Sequence, residues 1–361
     1  MFFDENRPKT ALIAMSGGVD SSVAAYLMQD AGFDCIGCTM KLHDAQNGVD
    51  ESHSCCSTQD IEDAKKICDR LSIPHYLYNF MDGFREEIIE KFIRSYERGE
   101  TPNPCIDCNR CMKFHQLYLR AKELGCEYIV TGHYARVGMR DGEYVLMKGL
   151  DPSKDQSYVL FNLSQENLAH TIFPLGELPK SVTRDIATKQ GFVNANKPDS
   201  QDICFVPDGD YAALIERETK KIYPTGNFVD ASGKVLGQHR GIIHYTIGQR
   251  KGLGIAAKHP LFVYELDVKE NVVYVGEGSE LFRRDCHVEK FHWISDHPSK
   301  DPFRCSAKIR YRHEDQPALC TPREDGSVDL YFDEPQRAIT PGQYAVLYDG
   351  EIVLGGGTIR M

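Results

Sequence analysis

The sequence predicts an α/β fold in its N-terminal half, a parallel sheet with flanking helices. A small central domain and a C-terminal antiparallel β-barrel follow. Three observations predict this. Short apolar runs alternate with amphipathic helical stretches as far as Thr131. A glycine-bearing turn, Ser16–Ser21, joins the first apolar run to the first helical stretch. From Leu261 onward the chain reads almost wholly as short strands broken by turn residues. A chain of 361 residues suits two or three domains. The boundaries expected are 1–207, 208–280 and 281–361.

The elements follow from pattern. Thr10–Met15 is a short apolar run read as a buried strand. Ser21–Ala31 is helical, with Val23, Ala24, Leu27 and Met28 on one side and Gly32 as its stop. Phe33–Met40 is a second strand. Thr58–Leu71 is an amphipathic helix, with Ile61, Ala64, Ile67 and Leu71 on one face and Asp60, Glu62 and Asp63 near its start. His75–Phe80 and Glu127–Thr131 read as strands, Phe84–Tyr96 and Lys113–Leu124 as helices. Val137–Gly149 is a hairpin about Asp141-Gly142. Short helices are expected near Ser164–Ile172 and Ser181–Gln190. The stretch 208–254 is rich in Gly, Lys and Tyr without strong periodicity. Leu261–Val268, Val272–Gly276, Phe303–Tyr311, Ser327–Phe332 and Gln343–Leu347 are strands.

Composition excludes several classes. Apolar residues at 41% and charged residues at 26% are ordinary for a globular protein, not for a collagenous, coiled-coil or disordered one. No apolar run reaches the ~18 residues a membrane span needs. The start, MFFDENRPKT, is not expected to be a signal peptide. A net charge of −11 argues against non-specific nucleic-acid binding, yet leaves room for a focused basic groove. Thirteen cysteines without an export signal point to the reducing cytosol, where clustered cysteines serve catalysis or metal binding. Cys35, Cys38, Cys68, Cys126, Cys286, Cys305 and Cys320 lie in apolar segments and read as buried small hydrophobes.

Ser16-Gly17-Gly18-Val19-Asp20-Ser21 has the features of a phosphate cradle. Glycines let the backbone approach a ligand, successive N–H groups form a nest, and a helix N-terminus adds partial positive charge. The hydroxyls of Ser16, Ser21 and Ser22 can donate to phosphate, and Asp20 can hold Mg²⁺ or cap the helix. The loop lacks the GK[ST] of a Walker A motif and the GxGxxG of a dinucleotide site. A second informative stretch is Thr101–Asn109, TPNPCIDCN. Its prolines hold the chain extended, and Asn109 is expected to cap a following helix. Cys108 would then stand just ahead of that helix, where a thiolate is stabilised. Cys111 continues a C-x2-C-x2-C series, Cys55-Cys56 form a vicinal pair, and Cys204 lies in the polar stretch DSQDICF. A structural zinc site would need a fourth ligand; the other CxxC, Cys35–Cys38, lies in an apolar strand, and no HxxxH appears.

The loop resembles the pyrophosphate-binding loop of N-type ATP pyrophosphatases, which cleave ATP between its α and β phosphates and adenylate a carbonyl oxygen. A small-molecule synthetase of that superfamily is the alternative reading. The cysteine stretches select a branch. They occur in order with Lys113-Phe114, Thr131-Gly132-His133-Tyr134, Lys154–Tyr158, Thr246–Leu253, Arg310-Tyr311-Arg312 and Pro341-Gly342-Gln343. On this set the chain resembles the tRNA-specific 2-thiouridylase family over nearly its whole length.

The resemblance implies an ATP pyrophosphatase catalytic domain over 1–207. It implies conversion of the wobble uridine (position 34) of tRNAs for Lys, Glu and Gln to 2-thiouridine, with AMP and pyrophosphate released. ATP and Mg²⁺ would serve adenylation. By motif position Cys204 carries the persulfide and Cys108 is the nucleophile that pairs with it, with a disulfide in the cycle. Ala14, Met15, Ser16, Gly17, Gly18, Val19, Asp20, Ser21, Met40 and Gly132 match ATP-contacting positions. Asn103, Pro104 and Cys105 match the target-base segment. His133, Lys154, Asp155, Gln156, Arg310, Tyr311 and Gln343 match tRNA-contacting positions. His239-Arg240 and Arg250-Lys251 are expected to extend that surface. Some relatives carry Asp where this chain has Cys105, so an acid–base role there has no oxygen base here. Cys105, Cys108 and Cys204 could instead ligate an iron–sulfur cluster (4Fe–4S), and the sequence leaves persulfide and cluster open. A cysteine desulfurase or sulfur-relay protein would donate the sulfur, in the cytoplasm and without a membrane.

Overall fold

The computed structural model describes residues 9–43, 57–199, 203–206 and 208–360. Cys55-Cys56 and Ser200, Gln201 and Asp202 of the DSQDICF stretch lie outside the described residues.

The first strand, β1 (Thr10–Ala14), is almost fully buried because Ala11, Leu12 and Ile13 face apolar layers on both sides of the sheet. Around it stand β2 (Asp34–Lys41), β3 (His75–Asn79), β4 (Tyr128–Val130) and β7 (Thr171–Ile172), all parallel, in the order β3-β2-β1-β4-β7. Alternation along β1 sends Leu12 and Ala14 into one core, and Ala11 and Ile13 into the other. The first core includes Phe84, Phe92 and Phe205. It runs on into Phe228, Ile243, Val263 and Val273, so sheet and central region share one apolar body. The chain passes from β1 outward to β2 and β3, then returns to place β4 on the other side of β1. That reversal opens a crevice at the carboxyl ends of β1 and β4, where open α/β sheets bind ligands.

Helices α1 (Val19–Asp30) and α2 (Thr58–Arg70) lie where periodicity places them. Ser57 caps α2 in a reciprocal box with Asp60. The expected helix Phe84–Tyr96 is instead a segmented stretch: α3 (Met81–Phe84), a wider π turn over Arg85–Ile89, and α4 (Glu90–Glu97). The expected helix Lys113–Leu124 begins earlier, as α5 (Pro104–Cys108), continues as π turns over Asn109–Gln116, and ends as α6 (Leu117–Glu123). Pro104 starts it because a proline in the first helical turn loses no needed hydrogen bond.

The hairpin turns at Asp141-Gly142, both at positive φ, between β5 (Ala135–Arg140) and β6 (Glu143–Lys148). Only α7 (Gln165–Ala169) remains of the helix expected over Ser164–Ile172, since Thr171–Ile172 pairs with β4. Next come α8 (Lys180–Lys189) and α9 (Tyr211–Thr219). The weakly periodic stretch then supplies β8 (Gly226–Val229) and β9 (Val235–His239). They join β10 (Phe262–Asp267) and β11 (Val272–Gly276) in a sheet ordered β10-β11-β8-β9.

The last strands are β12 (Phe282–Trp293), β13 (Phe303–Lys308), β14 (Gln316–Pro322), β15 (Val328–Arg337), β16 (Tyr344–Asp349) and β17 (Ile352–Arg360). They run β12-β15-β14-β13-β16-β17 and close through β12–β17 pairing into an antiparallel barrel. Closure removes the sheet edges. One edge is reopened over Ile352 and Val353, where β6 adds the β5–β6 hairpin to the barrel sheet. A hairpin from the first half of the chain thus ties the two halves together.

Candidate active site

The Ser16–Ser21 loop sits at the crevice. Gly17 is at φ +72°, and a Cβ there would lie 2.4 Å from the Asp60 carbonyl oxygen, so the loop packs directly on the start of α2. Gly132 closes the other side: a Cβ on it would lie 2.8 Å from the Asp20 carbonyl carbon. The loop is bonded to itself. The Ser21 hydroxyl donates to Gly18 O at 3.0 Å, and the Ser16 amide donates to Ser21 Oγ at 3.2 Å. Ser22 was expected to face phosphate, but it is fully buried. It donates to Gly18 O and accepts from Asn194 Nδ2, at 3.1 and 2.9 Å.

Asp20 does not cap α1; Gly18 occupies that position. The Asp20 carboxylate instead accepts from the Tyr134 hydroxyl at 2.9 Å and from Lys180 Nζ at 2.6 and 2.8 Å. Ala14, Met15 and Met40 lie at the carboxyl ends of β1 and β2 beside the loop, all three largely buried. Three residues here were not found by motif. Asn194 and Lys197 reach Gly17 O at 2.9 and 3.4 Å, and Lys180 reaches Asp20. They lie some 160 to 180 positions downstream of their partners, with no local signal marking them.

The cysteine segment is held differently. Asn103, not Asn109, is the cap: its side chain accepts from the Cys105 amide at 3.2 Å. Asn109 is buried and donates to Val159 O at 2.9 Å. The expectation for Cys108 is therefore corrected. It ends α5 inside a continuous helical stretch, and Cys105 is the cysteine near the N-terminus. Asp107, between them, is buried. It accepts from Lys91 Nζ at 2.6 Å and, at 3.4 Å, from the Tyr344 hydroxyl of the barrel. Another barrel residue, Gln343, donates to Thr101 O at 2.7 Å, and the Thr101 amide donates to Pro341 O at 2.8 Å.

Cys105 is exposed, whereas Cys108, Cys111 and Cys204 are half-buried against the shared core. Phe205 anchors the Cys204 stretch, edge-to-face on Phe84 and Phe92. Among the described residues, no group of three or more His, Cys, Asp or Glu stands together as a metal site. The remaining cysteines mostly behave as core: burial pushes the Cys38, Cys68 and Cys286 thiols up to about 12 and Cys35 up to about 11. Cys305 is the exception, half-buried on β13.

His133 is buried, with Nδ1 2.7 Å from the Thr131 hydroxyl and Nε2 3.4 Å from Lys113 Nζ. Burial, then the Lys113 charge, hold its pKa well below the usual histidine value, so the ring is neutral. Gln156 accepts from the Tyr134 amide at 2.9 Å. Asp155 caps its own turn, accepting from the Gly149 and Ser157 amides at 3.0 and 3.1 Å. Lys154 pairs with Asp199 at 2.8 Å. Arg310 is not on an exposed strand edge. β13 ends at Lys308, and the guanidinium is tied to Ile247 O at 3.0 Å, Ala338 O at 3.2 Å and the Thr340 hydroxyl. Tyr311 is exposed, and Lys308 Nζ lies 5.8 Å from its ring centre. His239 is buried and bonded to Asn271 O at 3.1 Å, so it adds nothing to an outer surface.

A glycine-bearing loop stands at the switch point of a parallel sheet, and a closed barrel bonds to the cysteine helix of the same sheet domain. Three family models match in succession. They are a tRNA methyl transferase HUP domain over residues 9–208, a tRNA methyl transferase PRC-barrel domain over 214–277, and an aminomethyltransferase beta-barrel domain over 283–359. A tRNA-specific 2-thiouridylase MnmA from Clostridioides difficile is 45% identical over 98% of both chains. That of Clostridium acetobutylicum is 46% identical over 98% of this chain and 99% of its own. A third, from a Thermoanaerobacter species, is 47% identical over 97% of each. Among solved structures, a 4-thiouridine synthetase–RNA complex with bound ATP aligns at TM-score 0.38 and 16% identity, covering 58% of this chain and 53% of its own. The chain belongs to the tRNA-specific 2-thiouridylase family, and its activity is that of a tRNA sulfurtransferase. Among the described residues, no helix is long and apolar enough to cross a membrane.

Proposed function

We propose that this chain uses ATP to convert the wobble uridine of tRNAs for Lys, Glu and Gln to 2-thiouridine. The observation that carries this reading is the joint placement of two elements. A self-braced loop stands at the carboxyl end of β1, and Cys108 and Cys204 pack on the apolar core that Ala14 and Met40 join.

An amide-like carbonyl is a poor electrophile until its oxygen is activated. The uridine C2 oxygen attacks the α phosphorus, and pyrophosphate leaves toward the backbone amides of Gly17–Asp20. Mg²⁺ would offset the charge of that pyrophosphate, and Asp20 would join it only on leaving Lys180 and Tyr134, which hold its oxygens in this structure. The terminal sulfur of a persulfide on Cys204 then bonds to C2, and AMP departs with the oxygen. The Cys108 thiolate bonds to Cys204 Sγ, breaking the S–S bond and leaving sulfur on the base. The resulting disulfide is returned to two thiols by an external dithiol. In the alternative, a cluster held by Cys105, Cys108 and Cys204 would supply sulfide in place of the persulfide sulfur.

Asn103, Pro104 and Cys105 would border the base; His133, Lys154, Gln156, Arg310, Tyr311 and Gln343 would face or support the tRNA. The working units are 1–207, 208–280 and 281–361, in a cytoplasmic enzyme served by a persulfide-bearing donor such as a cysteine desulfurase or relay protein. The test is mass analysis of unmodified tRNA incubated with the enzyme, ATP, Mg²⁺ and a sulfur source. One sulfur gained at the wobble uridine, with AMP release that requires tRNA, supports the proposal. AMP release without tRNA would instead favour a small-molecule substrate.

A further inference from the structure

Lys113 stands five positions after Cys108 on the same helical stretch. Its ammonium lies 3.4 Å from His133 Nε2. An ammonium has hydrogens and no lone pair, so Nε2 is the acceptor. The proton of the neutral ring is then on Nδ1, which donates to the Thr131 hydroxyl at 2.7 Å. Phe114 and Phe173 flank the imidazole, their ring centres 6.2 and 6.0 Å from its own. The ring is thus held in one tautomer, with a lone pair turned to Lys113. Among the described residues, no carboxylate pairs with Lys113. Asp20, the carboxylate of the adjoining loop, is taken by Lys180 and the Tyr134 hydroxyl. A half-buried cation whose partner is a neutral ring stays uncompensated. It also stays close to the Ser16–Ser21 loop, because Gly132, the residue before His133, packs on that loop. A Cβ on Gly132 would lie 2.8 Å from the Asp20 carbonyl carbon and 2.9 Å from the Ser21 amide nitrogen.

We infer that Lys113 is a catalytic residue of the adenylation step and that His133 is the positioning residue that holds its ammonium. The inference rests on the role proposed above for the loop. In that step the uridine C2 oxygen bonds to the α phosphorus. The bond from that phosphorus to the bridging oxygen breaks, and its electron pair leaves on pyrophosphate. The N3 proton of the uridine passes to solvent, so the adenylated base is neutral. Negative charge lies on the α-phosphoryl oxygens and the leaving oxygen while these bonds change. Such transfers are accelerated mainly by cations and donors placed where that charge lies. The loop amides would meet the pyrophosphate end. Lys113, reaching from the cysteine helix stretch to the residue beside the loop, would meet the α-phosphoryl oxygens, and it gains and loses no proton. Its bond to His133 is long, and an ammonium has three donors on a flexible stem. Two donors can therefore turn to phosphate oxygens while the third keeps its support. A carboxylate in place of His133 would cancel the charge the step needs, whereas a neutral acceptor holds the lysine and leaves its charge free to act.

The test is the single-turnover rate of tRNA-dependent pyrophosphate release by the full chain. ATP, Mg²⁺ and unmodified tRNA are supplied without a sulfur source, so that adenylation alone is read. Lys113→Ala should lower that rate at saturating tRNA by about 100-fold, the low end for loss of one donor to transition-state charge. The half-saturating tRNA concentration should change little. Ethylamine added to Lys113→Ala should restore part of the rate, and Lys113→Arg should retain part of it. A lysine needed only to join helix and strand would gain nothing from a free amine. His133→Gln, whose amide oxygen can accept from Lys113, should keep more activity than His133→Phe. The double variant of His133→Phe with Lys113→Ala should be no slower than Lys113→Ala alone, because the ring acts through the lysine. A full rate in Lys113→Ala, or a loss that neither ethylamine nor Lys113→Arg restores, overturns the catalytic role. Losses that add in the double variant overturn the positioning role of His133. The unaltered protein separates the two failures. If it releases pyrophosphate with tRNA and Lys113→Ala does so equally fast, only the role of Lys113 falls. If it releases none with tRNA, the functional reading falls and takes the inference with it.

Discussion

The Ser16–Ser21 loop and the cysteine helix lie in the same half of the chain but are supported in opposite ways. The loop is braced by its own hydroxyls, by Gly132 and by Asn194, Lys180 and Lys197, all from the first 200 residues. The helix that carries Cys105 and Cys108 is gripped from outside. Tyr344 reaches Asp107 between the two cysteines, and Gln343 and Pro341 bind Thr101 just ahead of them. Arg360, from the final strand, pairs with Glu100. Placement of the loop is therefore an affair of the sheet domain, whereas placement of the cysteine helix depends on barrel and sheet together.

The sharpest break between the regions comes from the cysteines. Cys108→Ser and Cys204→Ser should each lower thiolation by about three orders of magnitude or more, as loss of a nucleophile does. Both should keep tRNA-dependent AMP formation. Loss of both activities together in the two variants would show that the regions are not separable. The converse break is Gly17→Ala, which places a Cβ against the Asp60 backbone at a positive φ. It should cost about 1–3 kcal/mol of stability, in the range of overpacking. It should also abolish nucleotide binding, read by calorimetry and by denaturant midpoint.

His133 sharpens the comparison, because it stands beside Gly132 at the loop and contacts Lys113 in the cysteine helix stretch. Its folded pKa is depressed, so below about pH 6.5 the unfolded chain takes up a proton that the folded chain does not. Stability should therefore fall with pH through that window, by up to about 1.4 kcal/mol per unit from this group. Denaturant unfolding at pH 7 and pH 5.5 should show a shallower fall in His133→Asn, and an identical fall would place a charged ring in the folded protein. The smallest effect is expected for Gln343→Ala. Losing its bond to Thr101 should cost about 1 kcal/mol. A lower kcat for thiolation with KM for tRNA unchanged would confirm a barrel grip on the cysteine helix. A raised KM alone would assign Gln343 to tRNA contact.

The sequence by itself determined the parallel sheet, the loop at the end of β1, the turn at Asp141-Gly142 and the strand-rich C-terminal part. Each is written in short-range terms, as apolar periodicity over one element or glycine where φ turns positive, and short-range terms survive without a partner. It did not reveal that Asn103 caps the cysteine helix in place of Asn109. That depended on whether Pro104 or the residues after Cys108 begin the helix, and both starts satisfy the local rules. Nor did it reveal that β6 would join the barrel, that Arg310 would be spent on carbonyls of Ile247 and Ala338, or that Lys180 would be shared by Asp20 and Asp199. Those pairings span roughly 20 to 200 positions. A lysine or arginine is compatible with any acceptor the fold brings within reach. Only the packed tertiary structure, by excluding water and leaving one acceptor set near each cation, decided which pairing formed.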